Sequence, residues 1–240
     1  MSALKQNKRI LMKTFSNHPI VLRNYQALAV NRSFEALINH NNTLLVAPTG
    51  SGKTIILSSL ISEFIKRSSK QVKVLVLQHR KEIIWQNMKK FNQVDPSLTA
   101  SLISQDSKDN TGSVVFAMIQ TLHKNSELIC NFDLIVIDEA HCTMAKSYLS
   151  IIEKARNVNR NLKIYGVTAT PVRGDGQRLK TVFDNICYDI SIEDLIAEGI
   201  LVPPRAYVLD IGLAKEIEKI SGDNKKLSNL QADNISSDII

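Results

Sequence analysis

Five stretches of the chain are essentially apolar from end to end: Thr43–Ala47 (TLLVA), Val72–Leu77 (VKVLVL), Val114–Ala117 (VVFA), Leu134–Ile137 (LIVI) and Leu162–Thr168 (LKIYGVT). None alternates apolar with polar residues as a half-solvated strand does. Strands covered on both faces read this way, so these runs predict a parallel sheet buried between helices. Between them lie amphipathic segments at about Asn24–Ile38, Lys53–Lys66, Lys81–Phe91, Ala145–Arg156 and Glu193–Glu198. Strand–helix–strand order gives right-handed crossovers and a doubly wound, mostly parallel α/β domain with helices on both faces. Ligands bind such sheets beyond the carboxyl ends of the strands. The segments that follow each apolar run are therefore where chemistry is expected.

The first such segment is Ala47-Pro48-Thr49-Gly50-Ser51-Gly52-Lys53-Thr54, which follows one apolar run and opens a helix. Gly50 and Gly52 let the backbone wrap closely round an anion. The turn, with Thr49 and Ser51, and the helix N-terminus then aim N–H groups at phosphates. Lys53 supplies a point charge to the β- and γ-phosphates, and the Thr54 hydroxyl is a ligand for Mg²⁺. The pattern is that of a P-loop, with Ala47 in place of the usual first glycine. The bland alternative is a glycine-rich turn with a surface lysine.

The second segment is Asp138-Glu139-Ala140-His141, delivered by Phe132–Ile137. Phosphoryl transfer needs one carboxylate on the metal and another to orient and deprotonate water; Asp138 fits the first role and Glu139 the second. The same residues fit a helix N-cap equally well, with Glu139 complementing the helix dipole. Pairing with the 47–54 loop favours the catalytic reading. No second His or Cys stands at ligand spacing to His141, so a metal role for it is set aside.

Together these motifs resemble those of superfamily 2 helicases of the DEAD/DEAH-box kind. APTGSGKT at 47–54, DEAH at 138–141 and TAT at 168–170 are similar to motifs I, II and III. Leu22–Gln26 (LRNYQ) resembles the upstream adenine-recognition element, Val74–Gln86 motif Ia, and Phe116–Leu122 motif Ib. The likeness covers about residues 20–210, in family order and spacing. Gly166–Arg173 and Gly199–Pro204 look most like DNA helicases of the RadD kind and type I and III restriction translocases.

The resemblance implies a RecA-like P-loop domain that binds ATP and Mg²⁺. It implies that Gln26, with Arg23 nearby, reads the adenine edge, and that Lys53, Asp138, Glu139 and His141 serve hydrolysis. Thr168 and Thr170 would couple the ATP site to a nucleic-acid face. That face would comprise His79 and Arg80 from motif Ia, Gln120 and Thr121 from motif Ib, and Arg173. Contacts of this kind hold the phosphate backbone without reading sequence. Family members have a second RecA-like domain that supplies an arginine finger, and no segment at 211–240 can provide it. The expected organisation is a basic lead-in at 1–19, the first RecA-like domain at 20–210, and the start of a linker at 211–240. The function implied is that of a helicase or translocase motor, with DNA favoured over RNA. An RNA helicase, a restriction-complex motor and an ATP-switched scaffold are the alternatives.

Composition narrows the picture only at its margins. Of 240 residues, 44% are apolar and 22% charged, ordinary globular usage that excludes a disordered, collagen-like or disulfide-framed chain. The net charge of +7 permits a polyanion partner without establishing one. Cys130, Cys142 and Cys187 form no C-x-x-C pair, which fits reduced thiols and not zinc. No apolar run approaches the roughly 18 residues needed to span a bilayer, so no membrane partner is expected. Residues 1–34 contain no acid, but are Lys-rich and Ser-poor. A solvated lead-in is favoured there over a mitochondrial transit peptide, and a cytoplasmic protein, nucleoid-associated in a bacterium, is the expectation.

Overall fold

The computed structural model describes residues 20–170 and 179–205. The lead-in at 1–19, Arg173 and the segment at 211–240 lie outside the described residues. Contacts divide the chain after Leu201, and the fold below is that of the unit ending there.

Helix α1 (Asn24–Asn39) precedes β1 (Asn42–Val46), and α2 (Lys53–Arg67) leads to β2 (Val74–Gln78). Then come α3 (Lys81–Val94), β3 (Ala100–Ile103), β4 (Val114–Met118) and the short α4 (Ile119–Lys124). Strand β5 (Leu134–Asp138), α5 (Lys146–Val158), β6 (Lys163–Thr168), β7 (Asn185–Asp189) and α6 (Ile192–Ala197) complete the unit. The sheet runs β3-β4-β2-β5-β6-β1-β7, and every paired strand is parallel. This is the doubly wound α/β sheet that the apolar runs predict.

Period-two side-chain alternation divides each strand between two cores. Val74 and Val76 of β2 join Val136, Phe116 and Leu45 beneath α1, α2 and α3. Leu75 and Leu77 join Ile135, Ile137 and Val115 beneath α4 and α5. Both faces of the central strands are thus dry, which is why those strands need no polar alternation.

Strands β3 and β7 are not predicted from the sequence, and they are the two edges of the sheet. An edge strand lacks neighbours on one side, so it does not need an unbroken apolar run. Strand β7 (NICYD) has no fully buried residue. The five apolar runs do become strands, shifted by up to two residues at their ends; Val72, for example, is buried but precedes β2.

Helices α2 and α3 are tied at one end by a buried carboxylate. Asp95, 3% exposed, accepts from the Lys66 ammonium at 2.6 Å. It also accepts from the Ser62 hydroxyl and from both N–H and hydroxyl of Ser97. Burial pushes its pKa up; the donors from Lys66, Ser62 and Ser97 outweigh burial and hold it down at about 2. A carboxylate depressed in the folded state contributes stability above its unfolded value of 3.8 and loses it as pH falls towards about 2. With Lys66 partly screened by solvent, Asp95→Asn should cost about 1–2 kcal/mol at pH 7. Urea unfolding of both chains checks this: the gap should close between about pH 4 and pH 2.

Candidate active site

The phosphate loop leaves β1 at Val46, where the sheet supports it on one side. The Ala47 N–H donates to the Thr168 carbonyl at the end of β6, at 2.9 Å. The loop turns through Gly50 (φ +86°) and Gly52 (φ +78°), both in the left-handed region that disfavours side chains. Gly52 is also the residue before α2, so the turn delivers the first N–H groups of that helix to the cleft. The Ile55 N–H donates to the Gly52 carbonyl at 2.9 Å, and the Lys53 and Thr54 N–H groups before it are available to an anion. In this structure the Lys53 ammonium donates to the Ala47 carbonyl at 3.3 Å, lying back across its own loop.

Helix α1 clamps the loop from outside. Gln26 Nε2 donates to the Ser51 carbonyl at 3.2 Å, and the Tyr25 hydroxyl donates to the same oxygen at 2.8 Å. Gln26 Oε1 accepts from the Arg23 N–H at 3.0 Å, completing the cap of α1. Both Gln26 and Tyr25 are buried, whereas Arg23 is exposed. Gln26 is therefore placed against the loop by two polar contacts. A Cβ built on Gly52 would sit 2.5 Å from Gln26 Nε2, so loop and clamp fit without spare room.

The acidic pair stands at the end of β5, the fourth of the seven strands, between β2 and β6 at the middle of the sheet. Asp138 is 6% exposed, and both oxygens of its carboxylate accept hydrogen bonds. Oδ2 accepts from Gln78 Nε2 at 2.8 Å and from Asn87 Nδ2 at 3.1 Å; Oδ1 accepts from the Glu139 N–H at 3.1 Å. Burial raises its pKa, and the Asn87 amide and the nearby Lys53 charge work in the opposite direction. Glu139 has φ +59°, the one non-glycine positive φ among the described residues. That conformation costs about 1–2 kcal/mol and is held by its surroundings: Cys142 N–H donates to its carbonyl at 2.9 Å. The turn lifts the Glu139 side chain out of the core, leaving it about a third exposed at 31%.

A polar chain then runs from the acidic pair to β6. His141 Nδ1 lies 3.3 Å from Glu139 Oε2 and 3.4 Å from Thr168 Oγ1. Thr168 Oγ1 in turn accepts from the Thr170 N–H at 3.2 Å. Glu139, His141, Thr168 and Thr170 are thus contiguous.

The residues assigned to a nucleic-acid face group at the ends of β2 and β4. Arg80 is exposed at the residue preceding α3, and Gln120 Nε2 reaches the His79 carbonyl at 3.4 Å. Thr121, in contrast, is buried at 6% exposure, turned into the fold beside the exposed Gln120. The His79 Nδ1 is buried without a partner.

Gln78, Asn87 and Tyr25 are site residues that the sequence reading misses. Asn87 carried a signal: it occupies a core-facing position of α3 with Ile84, Phe91 and Val94. A polar side chain in an apolar stripe asks for a partner. Gln78 is in line with Asp138, one step beyond the Leu77–Ile137 register of two adjacent parallel strands.

These donors fit a magnesium nucleotide. Ser51 Oγ is buried in the loop with no partner, an orphan polar atom beside the two glycines. Thr54 and Asp138 offer hard oxygen ligands, and no cluster of three or more His, Cys, Asp or Glu side chains competes among the described residues. One carboxylate, one hydroxyl and substrate phosphates are the usual company of Mg²⁺. Gly52→Ala combines a strained φ with a close approach to the Gln26 amide, so nucleotide affinity should fall at least about tenfold with the fold retained. Titration with a fluorescent ADP analogue, alongside circular dichroism, measures both.

The family model described as "Type III restriction enzyme, res subunit" matches residues 19–173. IRC3 of Saccharomyces cerevisiae, assigned as an ATP-dependent helicase, is 29% identical over 97% of this chain and 35% of its own length. The type I restriction enzyme EcoAI endonuclease subunit of Escherichia coli is 30% identical over 79% of this chain and 24% of its own length. Among solved structures, the Hef helicase domain of Pyrococcus furiosus aligns with a TM-score of 0.57 at 23% identity, covering 69% of this chain and 37% of that one. The chain spans about a third of the length of the first curated relatives it matches. It belongs to the family of the type III restriction enzyme res subunit and carries the N-terminal RecA-like domain of a superfamily 2 helicase.

Proposed function

We propose that this chain is the ATP-binding motor domain of an ATP-dependent DNA helicase or translocase. One observation carries the reading: the P-loop threonine and the acidic pair from β5 are brought together at the carboxyl edge of the sheet, Thr54 and Asp138 being bridged by one amide. ATP use follows from the family; Mg²⁺ as the cation rests on the oxygen donor set. Bound there, Mg²⁺ would neutralise charge on the β- and γ-phosphates, held by Thr54 and Asp138.

The chain's own groups do the rest. Lys53 gives up the Ala47 carbonyl for the phosphates. The loop N–H groups hold the anion, and Gln26 exchanges its present contact with the Ser51 carbonyl for the adenine edge. Glu139, raised out of the core, takes the proton of the attacking water. His141, Thr168 and Thr170 link that carboxylate to β6. Arg80, Gln120 and their neighbours are the proposed contacts to a nucleic-acid backbone. A second RecA-like domain would supply an arginine finger, worth about 10³–10⁵ in rate in other phosphoryl-transfer systems.

DNA is favoured over RNA because relatives include the S. cerevisiae ATP-dependent DNA helicase MPH1 and a restriction endonuclease subunit. A motor subunit of a restriction-type complex is the second reading, favoured by the family match itself. The test is Glu139→Gln in a protein that includes the second motor domain. ATP turnover should be abolished with ATP binding preserved, and wild-type turnover should rise with DNA more than with RNA. Unchanged turnover in the variant overturns the role of Glu139; equal stimulation by RNA overturns the DNA preference.

Among the described residues, no helix is long and apolar enough to cross a membrane. We place the protein in the cytoplasm on the Lys-rich, Ser-poor composition of residues 1–34. A Schizosaccharomyces pombe relative is named mitochondrial. A fluorescent protein fused behind residues 1–34 should remain cytoplasmic; mitochondrial accumulation overturns that placement.

A further inference from the structure

Asn87 is the residue whose chemistry is least explained by its place in the sequence. It lies on α3, just past the motif Ia segment, and it is 2% exposed and turned into the core. Every other buried residue of that helix is apolar. An amide in such a stripe is destabilising unless both of its ends are satisfied. Both are: Oδ1 accepts from the Thr54 hydroxyl at 3.3 Å, and Nδ2 donates to Asp138 Oδ2 at 3.1 Å. Only one orientation of the amide works, since the flipped one would set its oxygen against a carboxylate oxygen.

The two groups it joins come from different elements, α2 and β5, and they are the two protein oxygens proposed to hold the cation. We propose that Asn87 is a positioning residue for the divalent cation, fixing Thr54 and Asp138 relative to each other before the metal arrives. The idea rests on the ATP–Mg²⁺ reading above. Its physical content lies in the directions of the hydrogen bonds. The Thr54 proton points at Asn87, which leaves the hydroxyl lone pairs for a cation. Ligation makes a hydroxyl a stronger donor, and its acceptor is already in place. On the other side, the Gln78 and Asn87 amides both engage Oδ2. Oδ1 then meets only the Glu139 N–H and keeps acceptor capacity for the metal or its water. Outer partners of this kind orient ligands, and their loss typically costs about 10–100-fold in metal affinity.

The test uses the whole chain, a fluorescent ADP analogue and Mg²⁺, with no need for turnover. Asn87→Leu keeps the volume and removes both hydrogen bonds. Nucleotide affinity in EDTA should stay within about twofold of wild type, while the Mg²⁺ concentration that gives half of the tightening rises about 10–100-fold. A Mg²⁺ midpoint unchanged within about twofold overturns the proposal, as does an equal loss of affinity in EDTA, which would mark a general packing defect. If the wild-type chain binds the nucleotide equally with and without Mg²⁺, the ATP–Mg²⁺ reading itself fails. Should the variant not fold, the wild-type chain still decides. The Asn87 side-chain amide resonances should shift when Mg²⁺ is added to the ADP-bound protein; unmoved resonances overturn the assignment.

Discussion

The site depends on a charge placed where charge is expensive. Asp138 ends a central strand that is dry on both faces, and its carboxylate cannot be left there without donors. Each donor comes from a different neighbour: an adjacent strand provides Gln78, a helix provides Asn87, and the next peptide provides its own N–H. Meeting this requirement fixes the register of β2 against β5 and the rotation of α3 about its axis. It also fixes the position of Thr54 at the start of α2, because the same Asn87 amide holds both. A local demand for hydrogen bonds thus sets the spacing of three elements around the place where phosphates would lie.

The backbone beyond Asp138 shows what this costs. To leave the core within one residue, the chain adopts a left-handed conformation at Glu139, which a glutamate tolerates only under constraint. A glycine or asparagine would relieve the backbone, but neither carries a carboxylate long enough to reach a water. The strained position is thus the one proposed to activate water. The side chain so displaced lies beside His141, and His141 lies beside Thr168. Thr168 is in turn bonded through its carbonyl to the Ala47 N–H, where the phosphate loop begins. The phosphate loop, the acidic pair and the TAT segment are accordingly one connected polar structure across adjacent strands β1, β6 and β5.

The sequence reveals most of this where burial is two-sided or spacing is local. Five strands are legible because both of their faces are dry, so their residues have no polar option. The edge strands β3 and β7 are not, since one open side relaxes the same demand. Lys53, Thr54, Asp138 and Glu139 are legible because consecutive residues carry the motif. Gln78 and Asn87 are not, since their partner lies 60 and 51 positions away and only the fold creates the contact. Thr121 shows the opposite limit: a motif position next to an exposed glutamine is read as surface, yet the first turn of α4 buries it.

The arrangement also accounts for which parts of the site are fixed and which are free to move on binding. Asp138 and Asn87 are buried, the first with three hydrogen-bond partners and the second with two, so they form a rigid floor. Lys53, Gln26 and Glu139 each sit on that floor through contacts that a nucleotide can replace: a loop carbonyl for Lys53, the Ser51 carbonyl for Gln26, and a histidine ring for Glu139. Exchanging such contacts one for one keeps the net change in hydrogen bonding small, so binding need not first break the fold. Because the His141 ring contacts both Glu139 and Thr168, any shift of Glu139 towards a bound phosphate alters what Thr168 feels. On the function proposed above, a change of nucleotide would reach β6 through contacts already present, without a new pathway having to form.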